Sequence, residues 1–182
     1  MKAIALICGR CGGHLLVSPG VGLGVCNPCS AAWDFSAGEK REIELKEPIL
    51  PAEAVEEEVL RLPFITFEAT GGGNAGRVFV MAFGLSKIGT PHDDGSKLTV
   101  DGFEGEMGRG SLDRPPDLTV STAAGLARFL ALRRLDPDGR RRLRPTDVRL
   151  SAPAVIAVPF GVRRDTLHDP ITGLVLERSL VG

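Results

Sequence analysis

Four cysteines stand in two pairs, Cys8-x2-Cys11 and Cys26-x2-Cys29. A gap of two residues lets one tight turn aim two sulfurs at a common point, with backbone N–H groups facing them. Gly9, Gly12 and Gly13 relieve crowding in the first turn, and Asn27 and Pro28 are turn residues in the second. Four soft thiolates suit a zinc ion in a tetrahedron. They also close its coordination shell, whereas a catalytic zinc keeps one position open to water, so the predicted role of a Zn2+ ion here is structural. Zinc binding of this kind is worth ~10–16 kcal/mol in finger peptides, which matches or exceeds the ~5–15 kcal/mol stability of a whole typical domain. Without metal the first module is therefore predicted to be unfolded. Three other uses of the same cysteines are an iron–sulfur centre, two disulfides in an oxidising compartment, and a redox pair, which needs a βαβ setting that the sequence lacks. His14 follows the first pair closely and reads as a hairpin surface residue or a spare ligand.

The elements that must position these sulfurs are short. The 14 residues between Cys11 and Cys26 hold Leu15-Leu16-Val17 and Val21 to Val25 around Ser18-Pro19-Gly20, the pattern of a β-hairpin. The run Leu6-x-Cys8-x2-Cys11-x-Gly13-x-Leu15, then Cys26-x2-Cys29, Trp33-x-Phe35 and Gly38, is similar to the small zinc ribbons that assist methyltransferases. The resemblance covers residues 5–40. It implies a four-cysteine zinc site at Cys8, Cys11, Cys26 and Cys29 and a role in binding a protein partner as an accessory subunit. Trp33, the only tryptophan, reads as a cover for this module or as an interface anchor.

The predicted fold class is α+β: an N-terminal zinc ribbon over residues 1–40, a linker and acidic helix over 41–61, and a mixed-sheet domain with about two helices over 62–182. Pro48 and Pro51 break the linker, and Val55, Val59 and Leu62 fall on one face of a helix from Ala52 to Leu62. Phe64 to Thr70 and Arg77 to Phe83 are rich in aromatic and branched residues and read as strands. Between them, Gly71 to Gly76 matches the Gly-x-Gly-x-x-Gly phosphate fingerprint in form only, because that motif needs a following helix and a strand follows here. Gly89 to Pro116 reads as irregular, with a short strand at Lys97–Val100; His92, Asp93 and Asp94 lie in it as a solvated turn or metal-touching groups. Ser121 or Thr122 is the expected cap of a helix to about Leu135 with an apolar face of Leu126, Phe129, Leu130 and Leu132. Asp136 to Gly139 reads as a turn. Ala154 to Val162 and Leu174 to Leu176 read as strands around a turn at Asp169–Gly173. Leu62-Pro63-Phe64 and Val158-Pro159-Phe160 are similar triplets.

The chain has 182 residues, 43% of them hydrophobic, and a net charge of −1, so it is not a general polyanion-binding body. Charge is uneven, however. Eight acids fall between Glu39 and Glu58, and eight arginines between Arg128 and Arg149. Such lobes suit docking to partners or to each other. No apolar run is long enough to span a membrane and no secretory signal is visible, so a cytoplasmic protein with reduced thiols is expected. No nucleophile and base assemble from the sequence and no small-molecule substrate is evident, so the chain is not read as an enzyme; an active pocket, if one existed, would be sought at Gly89–Pro116. The expected function is a non-catalytic zinc-ribbon interaction protein, an adaptor or accessory subunit. The alternative is a nucleic-acid-binding factor using the ribbon and the Arg140–Arg144 cluster.

Overall fold

Strands are the main regular element among the described residues, some alternating in burial and some buried on both faces. The structure is a computed structural model that describes residues 6–36, 38–51, 56–71, 74–84, 105–135 and 137–181. The strands are β1 (Leu16–Val17), β2 (Leu23–Cys26), β3 (Ala31–Asp34), β4 (Arg41–Pro48), β5 (Val59–Gly71), β6 (Asn74–Met81), β7 (Met107–Arg109), β8 (Arg149–Leu150), β9 (Ala154–Arg163), β10 (Thr166–His168) and β11 (Val175–Glu177). All eleven belong to one mixed sheet. Helix α1 (Val120–Arg133) packs on it, and a six-residue helix α2 (Pro137–Arg142) follows.

The stretch 41–48 is strand, where a linker is predicted. In Arg41–Pro48 the side chains of Ile43 and Leu45 are buried while those of Glu42 and Glu44 are exposed, a period of two that one-sided burial rewards. This strand joins the cysteine hairpins to the body: Ala31–Asp34 pairs with Arg41–Glu44 antiparallel, and Glu44–Lys46 pairs with Ala154–Ile156 parallel. The predicted acidic helix also differs. Residues 52–55 lie outside the described residues, and Val59–Leu62 open β5 as strand, paired with Leu62↔Val158 and its neighbours. The two similar triplets thus lie on partner strands and meet at one pair, Leu62 and Val158. Their prolines cost the ladder little. Arg61, opposite Pro159, exchanges its backbone bonds with Asp113, and the Pro63 carbonyl accepts from Ala82 N, so these positions face away from the β5–β9 ladder.

β5 and β9 are buried on both faces. On one side Ile65, Phe67, Val78, Val155 and Ala157 meet α1. On the other, Phe64, Phe160, Ile156 and Val158 meet Leu167 and Leu176 of the β10–β11 hairpin. Phe83 sits edge-on to Phe64 (5.8 Å, 71°) and to Phe160 (6.4 Å, 81°), geometry worth ~0.5–1.5 kcal/mol per pair beyond burial.

Thr119, not Ser121 or Thr122, caps α1: Thr122 N donates to Thr119 Oγ1 at 3.1 Å. The buried face is narrow and small, consisting of Val120, Ala123 and Ala127, so the helix lies close to the sheet. Leu126 and Phe129, expected inward, are instead 45% and 60% exposed. The predicted turn at Asp136–Gly139 gives way to α2 over its described part, with Pro137 at a helix start where its missing N–H is harmless. Gly71 pairs with Asn74 across a hairpin, so no helix N-terminus follows the glycine run. The Lys97–Val100 strand and the group His92, Asp93 and Asp94 lie outside the described residues.

Candidate metal centre

Two tight turns bring the four sulfurs together. In the first, Cys8 N donates to Gly13 O (2.8 Å) and Gly12 N to Cys8 O (3.0 Å), with Gly12 at φ 74°, a left-handed value that favours glycine. Arg10 N points at Cys8 Sγ from 3.4 Å. Gly13 lies beside the cluster: a Cβ there would sit in van der Waals contact, 3.4 Å from Cys11 Sγ and 3.6 Å from Cys26 Sγ. In the second, a 3-10 turn over Asn27–Cys29 ends at Ser30 with φ 53°, returning the chain into β3.

The Sγ atoms of Cys8, Cys11, Cys26 and Cys29 all lie within 4.8 Å of one another. Cys8 and Cys29 are 3.5 Å apart, and Cys11 and Cys26 are 3.4 Å apart. These separations exceed a disulfide bond, about 2.05 Å. They approach the edge of a tetrahedron with metal–sulfur bonds of ~2.3 Å, which is ~3.8 Å. Four such thiols can hold a metal ion. Cys26 is fully buried and Cys8 nearly so, while Cys11 reaches solvent. Burial pushes the Cys29 and Cys26 thiols up, with the neighbouring cysteine sulfurs adding to the rise at Cys29. At Cys8 burial works the same way, but the backbone groups of Arg10 and Cys11 and the side chains of Cys29 and Trp33 outweigh it and bring the thiol down to about 6. One knuckle sulfur is therefore readily ionised and two hold their protons until a cation displaces them.

Trp33 supplies a test of the fit. Its Nε1 is buried with no hydrogen-bond partner of normal geometry, yet it acts on Cys8 as a donor that favours the thiolate. A metal-bound thiolate gives this orphan N–H an acceptor. The ring itself lies against Gly9 and under Lys40, whose Nζ is 4.4 Å from the ring centroid and also donates to Ile7 O at 2.6 Å. Arg10 pairs with Glu42 of β4, tying the first turn to that strand. His14 is exposed and bridges Ile7, outside the sulfur cluster.

The centre is also fastened to the body. Asn27 Nδ2 donates to Leu112 O (2.7 Å) and Leu112 N donates to Asn27 Oδ1 (2.9 Å), with Leu112 in the core cluster. Ser18 Oγ donates to Asp117 Oδ1 at 2.6 Å. Neither contact has a local sequence signal, since each joins residues more than eighty apart.

The two charge lobes do not neutralise each other among the described residues. Glu42, Glu44, Glu47, Glu56 and Glu58 pair with Arg10, Lys46, Arg61, Arg163 and Arg178 respectively. None of these acids pairs with an arginine of the basic lobe, where Arg141 has only a long contact to Asp138 (3.8 Å) among the described residues. Among the described helices, none is long and apolar enough to cross a membrane. Compared with protein-family models, curated proteins and solved structures, the chain matches none of them.

Proposed function

We propose that this chain is a non-catalytic interaction protein, an adaptor or accessory subunit of a larger cytoplasmic assembly, whose N-terminal ribbon is folded by one structural zinc ion at Cys8, Cys11, Cys26 and Cys29. The observation that carries the reading is the convergence of four thiols within 4.8 Å, which fills every corner of a zinc tetrahedron and leaves no place for substrate or water. Such a metal supports surface, not turnover. The similarity of residues 5–40 to ribbons that serve partner enzymes points the same way. Metal analysis of the gently isolated protein should give one zinc per chain, together with a co-purifying protein in stoichiometric amount. A metal-free folded chain that always runs as a lone monomer would sink the reading.

A second reading, nucleic-acid binding through the ribbon and the Arg140–Arg144 cluster, is favoured by the exposure of Arg141, Arg142 and Arg144. Mobility-shift assays at low salt, with Arg141 and Arg142 changed to glutamate, separate it from the first.

A further inference from the structure

We infer that the open groove between helix α1 and the Phe83 turn is the docking surface for a protein partner, and that the segment it takes is an amphipathic helix with an apolar stripe and acidic flanks. This rests on the accessory-subunit reading above and gives that partner a place and a chemistry. The groove encloses ≈ 360 Å3 and is walled by Met81, Phe83, Leu118, Leu126, Phe129 and Leu130. Leu126 and Phe129 are 45% and 60% exposed on consecutive turns of α1, at a spacing suited to meshing with a second helix. An exposed aromatic beside an apolar trough is the usual anchor of a binding surface.

Charge specifies the occupant. Two charged side chains, Asp117 and Arg133, line the groove. Asp117 is already engaged: Oδ1 accepts from Ser18 Oγ and Oδ2 from Gly84 N (3.0 Å). Arg133 is exposed and has no carboxylate within 4.0 Å among the described residues. The guanidinium groups of Arg142, Arg144 and Arg149, all exposed, likewise have no carboxylate within 4.0 Å among the described residues, and the Arg141–Asp138 pair is long (3.8 Å) with side chains 82% and 80% exposed. The 145–147 turn and β8, which Arg144 and Arg149 adjoin, pack on α1, and Leu132, Arg134 and Leu135 of its C-terminal end border a small cavity with Val148. A helix laid along the trough thus meets apolar side chains and, at their edge, the free guanidinium of Arg133. A carboxylate answers that guanidinium with charge-assisted hydrogen bonds. Nucleic acid suits it less well, because the walls are mostly aliphatic side chains instead of flat rings on which bases stack.

The test uses the full metal-loaded chain and a fluorescein-labelled helical peptide with leucines at i, i+3, i+4 and i+7 and glutamates elsewhere. Anisotropy should show saturable binding, about ten-fold or more tighter than for the same peptide with lysines in place of glutamates. Phe129→Ser should weaken it about ten-fold or more, and Arg133→Glu should lessen the preference for glutamate. Phe129 and Arg133 are exposed, and circular dichroism with metal content checks that each variant is intact. No saturable binding, equal binding of the two peptides, or displacement by a single-stranded oligonucleotide overturns the inference. A natural partner that co-purifies equally with wild type and with Phe129→Ser also overturns it, while leaving the accessory role standing.

Discussion

Asn27 and Leu112 face each other like two residues of an antiparallel ladder, with a side-chain amide playing the part of one backbone: Nδ2 donates to the Leu112 carbonyl at 2.7 Å and Oδ1 accepts from the Leu112 N–H at 2.9 Å. Asn27 lies between two of the candidate metal ligands, Cys26 and Cys29, so the metal loop and the body share a joint.

Asn27→Ala removes both partners of Leu112 at once. Its backbone groups stay buried and lose their bonds, which should lower unfolding stability by about 2 kcal/mol. Urea denaturation measures this, and zinc content should be unchanged because every sulfur remains. Asn27→Asp, which retains an acceptor and loses the donor, should differ from Asn27→Ala in size but not in direction.

Trp33→Phe keeps most of the ring packing and deletes the N–H that faces Cys8. Metal affinity should fall about ten-fold, as for other groups that orient a ligand from behind. Competition against a chromophoric chelator gives the value. Because Trp33 is the only tryptophan, its emission also reports on the ribbon alone, and chelation should shift it towards the red. An emission spectrum indifferent to chelator would contradict the placement of this ring.

Acid should release the metal. Burial raises the proton affinity of Cys29 and Cys26, so a falling pH reprotonates these sulfurs first, while Cys8, held down to about 6, stays ionised longest. Each proton that competes with the ion makes affinity fall by about one decade per pH unit, so two make it about two decades. Zinc affinity measured from pH 8 to pH 5 should therefore decline steeply in that direction. A flat profile would mean that thiolates are not the ligands.

Thr119→Ala should cost about 1 kcal/mol through the lost cap of α1. Phe160→Ala should cost about 3–5 kcal/mol, since Phe160 is fully buried and touches Phe83 edge-on. Thermal or urea unfolding checks both, and the ordering of the two matters more than either value.

The sulfur cluster was legible because pairs two residues apart are a local device, and the β5 and β6 cores were legible from their branched and aromatic runs. β4 was not, although Ile43 and Leu45 alternate with Glu42, Glu44 and Lys46. Glutamate and lysine have low strand propensity, and Pro48 and Pro51 suggested a broken connection. What makes Arg41–Pro48 a strand is its neighbours, β3 on one side and β9 on the other, which lie far away in the chain. Val59 and Leu62, read as part of a helix face, lie in β5; a strand buried on both faces leaves no period to read. The open face of α1 escaped for a related reason. Of four large apolar residues that looked like one stripe, Leu130 and Leu132 pack partly buried against the core, while the fully buried side of the helix is Val120, Ala123 and Ala127, and Leu126 and Phe129 are left outside. Contacts such as Ser18 with Asp117 depend on the whole topology and have no signature in either segment.

The strand Arg41–Pro48 has a consequence for how this protein can be taken apart. Its first half completes the ribbon's edge through Ala31–Asp34, and its second half lies beside β9 in the interior of the large sheet. A nick at the Glu39–Lys40 bond would therefore not liberate a freestanding finger. The two pieces should stay together as a noncovalent complex under native conditions, and mixing them after separation should restore one from the other. For the same reason the small unit is a poor candidate for transplantation onto another scaffold, since it would leave behind the strand that finishes it.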